Sequence, residues 1–206
     1  MQILSHRGYW KTAEEKNQTV AFRRSCQLGF GTETDIRDYK GQLVISHDIA
    51  TEDSISLKEF IDIFKNSGLV LALNIKADGL ATPLLREMQF SGIENWFVFD
   101  MSIPDMKAYL KSGIPTFARM SEVEKDPAWI DQISGIWLDC FNAQWYDSEF
   151  ISSLLQKQLK VCLVSPELHG REYFPLWYSI KALVEEEGLL LCTDFPEQAK
   201  SFFGVT

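Results

Sequence analysis

Leu189-Leu190-Leu191-Cys192 is an unbroken apolar run, preceded by the helix-stopping Gly188 and followed by the polar pair Thr193-Asp194. A strand with one face in water alternates apolar and polar residues. A run that is apolar at every position suits a strand covered on both faces, as in a parallel sheet flanked by helices. Similar β-rich runs recur upstream, at residues 2–5, 31–37, 69–75, 96–99, 116–119, 135–139 and 161–165. With 189–193 they make eight strands. Residues 43–46 add a further strand, paired back through the turn 39–42.

Helical stretches lie between them. Residues 19–28 end at Gly29, and residues 56–64 open with a Ser-x-x-Glu capping box, Ser56 and Glu59. Others are 80–90, 104–110, 148–158 and 176–187, the last stopped by Gly188. Strands alternating with helices predict parallel pairing through right-handed crossovers. Eight such units predict a closed α/β fold, a small (β/α)8 TIM barrel; an open doubly wound sheet is the alternative. The 206 residues lie at the small end of the range of about 200 to 400 that such barrels occupy, so the loops must be short. No repeat, low-complexity tract or Pro/Gly-rich linker divides the chain, so residues 1–206 are expected to form a single domain.

Composition narrows the function. With 46% hydrophobic residues the chain can bury a large core, and no apolar stretch approaches the roughly 20 residues of a transmembrane segment. The first residues turn polar at His6-Arg7-Gly8, without the apolar core of a signal peptide, and the expected location is cytoplasmic. A net charge of −9 without a basic cluster argues against nucleic acid as a partner. Cys26, Cys140, Cys162 and Cys192 are widely spaced and are expected to be reduced, structural thiols.

The polar residues at strand ends carry the chemistry. Glu33 and Asp35 are two apart, so on a strand their carboxylates share a face and, in a barrel, point inward at the C-terminal rim. Such a pair suits a hard divalent cation, although an exposed alternating strand would show the same spacing. His6 and His47, two of only three histidines, each follow an apolar run and could pass a proton near neutral pH or serve as hydrogen-bonded structural rings. Asn74 and Lys76 repeat the two-residue spacing on the next strand, offering an amide oxygen for a cation and an ammonium for a phosphoryl oxygen. Arg7, Arg119, Trp137 and Asp139 are weaker candidates for substrate contact, and structural roles account for the strand-end positions of Arg119, Trp137 and Asp139 equally well. So is the loop Ser165-Pro166-Glu167-Leu168-His169-Gly170-Arg171, with a third histidine and an arginine for an anion. Phe174, Trp177 and Tyr178 read as packing residues, and Glu185-Glu186-Glu187 as a solvated helix end.

Taken together, Ser5-His6-Arg7-Gly8, Asn17 with Ala21-Phe22, Gly29 to Asp35, Gly41 to Asp48 and the closing Thr193-Asp194-Phe195-Pro196 resemble the glycerophosphodiester phosphodiesterase family, and more distantly its sphingomyelinase D-like relatives. The resemblance implies a barrel that cleaves phosphodiesters with a divalent cation, Mg²⁺ or Ca²⁺, with Mn²⁺ as a further possibility. It implies that His6 and His47 are the general acid–base pair and that Glu33 and Asp35 hold the metal. Lys76 would face the phosphate. Asn17 would support the loop carrying His6. The expected partner is a small or lipid-derived phosphodiester.

The chain departs from that pattern in three places. Asn74 stands where the family has its third acidic ligand, Lys16-Asn17-Gln18 replaces Glu-Asn-Thr, and the insertion after His47-Asp48 shrinks to about residues 49–55, which opens the mouth to larger head groups. Two other readings remain: a non-catalytic barrel that binds a phosphorylated ligand, and a lyase or transferase that forms a cyclic phosphate at the same site.

Overall fold

The computed structural model describes residues 1–205. Eight parallel strands form a ring: β1 (Gln2–His6), β2 (Gly31–Tyr39), β5 (Leu71–Ile75), β6 (Trp96–Phe99), β7 (Phe117–Met120), β8 (Gly135–Leu138), β9 (Lys160–Val164) and β10 (Leu189–Thr193). β1 lies between β10 and β2, so first and last strands are neighbours and the sheet closes on itself. The seam is between β6 and β7, joined by a parallel bridge at Val98 and Thr116 and a 2.9 Å bond from Val98 N to Pro115 O. This is the (β/α)8 architecture.

Two antiparallel strands, β3 (Gln42–Ile45) and β4 (Ile55–Ser56), extend β2 outward. Residues 46–54 link them, so little covers the mouth on that side. The helices are α1 (Thr19–Leu28), α2 (Leu57–Phe64), α3 (Ala81–Ser91), α4 (Ile103–Lys111), α5 (Ser148–Gln156), α6 (Phe174–Ile180) and α7 (Pro196–Phe203). The Ser56–Glu59 capping box is formed, and Gly29 ends α1 in the left-handed conformation.

Residues 121–134, between β7 and β8, contain no helix, as the lack of a helical stretch there in the sequence implies, so one crossover is an irregular loop. Two stretches differ from the sequence reading. The stretch 176–187 forms only α6 and a 3-10 turn over Lys181–Leu183, leaving Glu185, Glu186 and Glu187 outside. Three negative charges at the negative end of the helix dipole oppose its continuation. α7 was not expected; Pro196 at its start and the left-handed Gly204 at its end are the signals that mark it.

Two apolar layers result. The larger lies between strands and helices, and the smaller fills the barrel with inward side chains such as Leu4, Ala72, Phe99, Trp137 and Cys192. Inside, Phe97 stacks on Phe117 and Phe99 on Trp137, each with ring centroids 3.8 Å apart. Trp137 is therefore part of the barrel filling. All four cysteines are free, and Cys140, Cys162 and Cys192 are buried.

Gly135 makes room for this stack: a Cβ there would lie 2.5 Å from both the Phe117 ring and the Lys160 carbonyl oxygen. The carbonyl belongs to a paired strand and cannot retreat. Gly135→Ala is expected to destabilise the fold by about 1–3 kcal/mol, the usual cost of overpacking, read as a lower urea midpoint with an unchanged m-value.

Candidate active site

Inward positions at the C-terminal ends of β1, β2 and β5 turn polar together. The register sets His6 beside Glu33, and Asp35 beside Asn74. His6 Nδ1 lies 2.8 Å from Asp194 Oδ1, just past the end of β10, while its Nε2 lies 4.0 Å from Glu33 Oε2. A carboxylate can only accept, so Nδ1 carries the proton and Nε2 is left bare. Burial lowers the His6 pKa below its ordinary 6.5, although the bond to Asp194 opposes the shift.

The chain after His6 bends sharply. Arg7 has φ 56° and Gly8 φ 81°. A Cβ on Gly8 would meet Ala21 Cβ at 2.8 Å, so the position requires glycine both for its conformation and for its closeness to α1. The bend turns Arg7 N onto Glu33 Oε2 at 3.1 Å and its Nε towards Asp35 Oδ2 at 3.2 Å. Asn17 holds the bend: its amide N donates to Arg7 O at 2.9 Å, and its Nδ2 donates to Asp35 Oδ2 at 2.8 Å. The Thr34 hydroxyl donates to Asn17 Oδ1, also at 2.8 Å. Asn17→Ala would leave the buried Thr34 hydroxyl without an acceptor and Asp35 without a donor. It is expected to cost about 1–3 kcal/mol in denaturant unfolding, as for a broken buried network.

Glu33 and Asp35 are almost fully buried. Desolvation, and then the Asp35 charge, push the Glu33 pKa up to about 8. Lys76 Nζ approaches Asp35 Oδ1 at 3.4 Å without hydrogen bonding to it. Among the described residues, Asp35 Oδ1 and Asn74 Oδ1 are both buried without a hydrogen-bond partner. Two unsatisfied oxygens on adjacent strands, beside a carboxyl whose pKa is raised by burial and then by the Asp35 charge, fit a hard cation that prefers oxygen. Glu33, Asp35 and Asn74 are the residues that would hold it.

The remaining candidates are more scattered. His47 is half-exposed, with Nδ1 2.9 Å from Asp48 Oδ1, and bonds neither Glu33 nor Asp35. It shares a cavity of about 360 Å³ with Arg7, Lys16 and Asn17, between the β1–α1 and β3–β4 loops. Arg119, at the end of β7, pairs with Asp100 at 3.2 Å and Glu124 at 2.9 Å on the far side of the ring. The loop 165–171 spends its cations internally. His169 Nε2 lies 2.8 Å from Asp139 Oδ1, and Arg171 donates to the Cys140 carbonyl.

Asp194 was not singled out from sequence as a site residue. It follows Cys192 by two positions and Leu190 by four, so it shares their inward phase. Its neighbour across the closed barrel, His6, is 188 residues away.

No family model matches the chain, and no curated protein matches it. Solved structures do. A glycerophosphodiester phosphodiesterase from Agrobacterium tumefaciens str. C58 superimposes with a TM-score of 0.76 at 15% identity, covering 99% of both chains. A phosphodiesterase from Oleispira antarctica, solved with the product sn-glycerol-3-phosphate, gives 0.71 at 15% identity over 99% of this chain and 97% of that one. Phosphoribosyl anthranilate isomerase from Thermus thermophilus gives 0.53 at 13% identity over the same shares. At these identities the likeness is one of fold, and it is the fold of the family whose motifs the sequence resembles.

Proposed function

We propose that the chain is a metal-dependent phosphoric diester hydrolase acting on a glycerophosphodiester-like or larger phosphodiester. One observation carries this reading. A histidine fixed by a carboxylate presents its bare Nε2 beside a buried acidic pair with unsatisfied oxygens. Such a ring, neutral at neutral pH, can take a proton from the attacking oxygen. Arg7 and Lys76 place positive charge beside the same carboxylates and would pair with the phosphoryl oxygens. His47, open to solvent in the cavity it shares with Arg7, would return a proton to the departing alkoxide. A divalent cation (Mg²⁺ or Ca²⁺, with Mn²⁺ as a substitute) held by Glu33, Asp35 and Asn74 would offset charge that develops on the phosphoryl group.

The fold shared with the two phosphodiesterases supports the reaction class, and the Oleispira protein's bound sn-glycerol-3-phosphate supports a glycerophosphodiester as first substrate to test. The short 46–54 link leaves room for a lipid-derived head group. Four unpaired thiols suit a reducing, cytoplasmic setting, and we treat the chain as one catalytic domain.

³¹P NMR of glycerophosphodiesters incubated with the protein and Mg²⁺, Ca²⁺ or Mn²⁺ tests the proposal. A phosphomonoester signal that requires the metal is expected. A cyclic phosphate would assign the site to a lyase or transferase. Shifted diester signals without turnover would make it a binding barrel, a reading favoured by Arg7 and Lys76 already pairing with Asp35.

A further inference from the structure

We infer that Glu167 is a positioning residue for this reaction, fixing through Thr193 and the Asp194 amide the carboxylate that holds His6. The inference rests on the reading of His6 as the proton-accepting ring. The 3-10 turn Pro166–His169, directly after β9, places Glu167 across the ends of β9 and β10. There its carboxylate accepts three bonds. Ser165 Oγ donates to Oε2, Thr193 Oγ1 donates to Oε1, and Asp194 N donates to Oε1 at 3.1 Å.

Each hydroxyl is itself directed from outside. Trp177 Nε1 donates to Ser165 Oγ at 2.9 Å, so the Ser165 proton must point at Glu167. Phe195 N donates to Thr193 Oγ1 at 3.0 Å, which turns the Thr193 proton to Glu167 likewise. Ser165, Thr193 and Trp177 are fully buried, so no water competes for these bonds. The network has one arrangement of donors, and it ends at the backbone of Asp194. From there the Asp194 side chain reaches His6 Nδ1 at 2.8 Å. A carboxylate tethered at its own amide holds the ring in one tautomer; released, it can rotate, and Nε2 loses its fixed direction.

Glutamine should serve nearly as well as glutamate. Its oxygen can take the Thr193 and Asp194 donors, which are the links to β10, while its amide donates to Ser165 Oγ and turns the Ser165 proton away, a cost to stability rather than to the hold on Asp194. Alanine offers nothing. A merely structural role would alter stability but not the protonation pattern of the His6 ring.

The test uses long-range ¹H–¹⁵N NMR of the 206-residue chain, whose three histidines give separate ring patterns, with His47 as reference. Expected are a protonated Nδ1 and bare Nε2 at His6 in wild type and Glu167→Gln. Glu167→Ala should give mixed tautomers at His6 with the His47 pattern unchanged. On a phosphodiester substrate, Glu167→Ala should lower kcat by about 10- to 100-fold with little change in KM, and Glu167→Gln should recover most of that loss. Should Glu167→Ala fail to fold, Thr193→Val removes one of the two links to β10 and should give the same change in part. A wild-type His6 pattern in Glu167→Ala, or in Thr193→Val where alanine does not fold, overturns the inference. So does a Glu167→Gln protein that behaves like alanine. The ring patterns need no turnover, so a wild type inactive on every phosphodiester would sink the proposed function while the His6 pattern still decides the role of Glu167.

Discussion

His6→Ala is expected to lower kcat on a phosphodiester by about 10²- to 10⁴-fold, the range lost with a positioned general base, while the fold survives. The ring is mostly buried, but among the described residues only Asp194 hydrogen-bonds its nitrogens, so the loss should fall on chemistry more than on binding. The pH profile supplies a second reading of the same residue. Burial holds the His6 pKa under 6.5, and the bare ring is the active form, so kcat/KM should hold down to that pH and fall only below it. Asp194 acts in the opposite sense, favouring the protonated ring. Asp194→Asn should therefore move the acid limb to still lower pH while also reducing the plateau, since the tautomer is no longer held. An acid limb unchanged in Asp194→Asn, measured by initial rates from pH 5 to 8, would separate the limb from His6.

Glu33→Gln is expected to change activity and stability in opposite directions. Turnover should fall by about 10³-fold, because a lost metal ligand forfeits several kcal/mol of charge stabilisation in the transition state. The metal-free fold should gain. The Glu33 pKa stands near 8, well above the usual 4.5, because the buried site disfavours its charged form. The sign follows: a raised folded-state pKa means this group's contribution is fully favourable below about pH 4.5 and is lost as pH rises through about 8. Glutamine has no proton to lose and removes that slope. At pH 8 the metal-free variant should be more stable than the metal-free parent by up to about 5 kcal/mol, since each of the roughly 3.5 pH decades between the two values costs about 1.4 kcal/mol. Urea unfolding in EDTA at pH 5 and pH 8 measures both arms. Parent and variant with the same pH dependence would show that Glu33 is not the strained carboxyl. Such opposition is what a site built for a bound cation should show.

Much of the ring was legible because buried parallel strands read as continuous apolar runs, and because inward positions at their ends turn polar at two-residue spacing. His6, Glu33, Asp35, Asn74 and Lys76 were all visible in that way, and the structure brings them together. Capping chemistry located α1 and α2. What escaped depended on partners distant in sequence. Nothing local to Asp194 says that its strand closes against the first one, and Glu167 shows its use only when β9 and β10 lie side by side. The loop 165–171 looked like an anion site because it carries His169 and Arg171. The fold instead turns both onto the end of β8, at Asp139 and Cys140. The helix-free link between β7 and β8 was legible as well, because no periodic apolar pattern marks a helix there.

Titration of Mn²⁺ into the metal-stripped protein, followed at the three histidine ring signals, asks whether Glu33, Asp35 and Asn74 hold a divalent cation beside the proton-accepting ring. Saturable paramagnetic broadening of His6, whose Nε2 lies 4.0 Å from Glu33, is expected, reversed by excess Mg²⁺ and lost in Glu33→Gln. Sharp His6 signals at Mn²⁺ concentrations that broaden the other histidines, or broadening unaffected by Glu33→Gln, would contradict it.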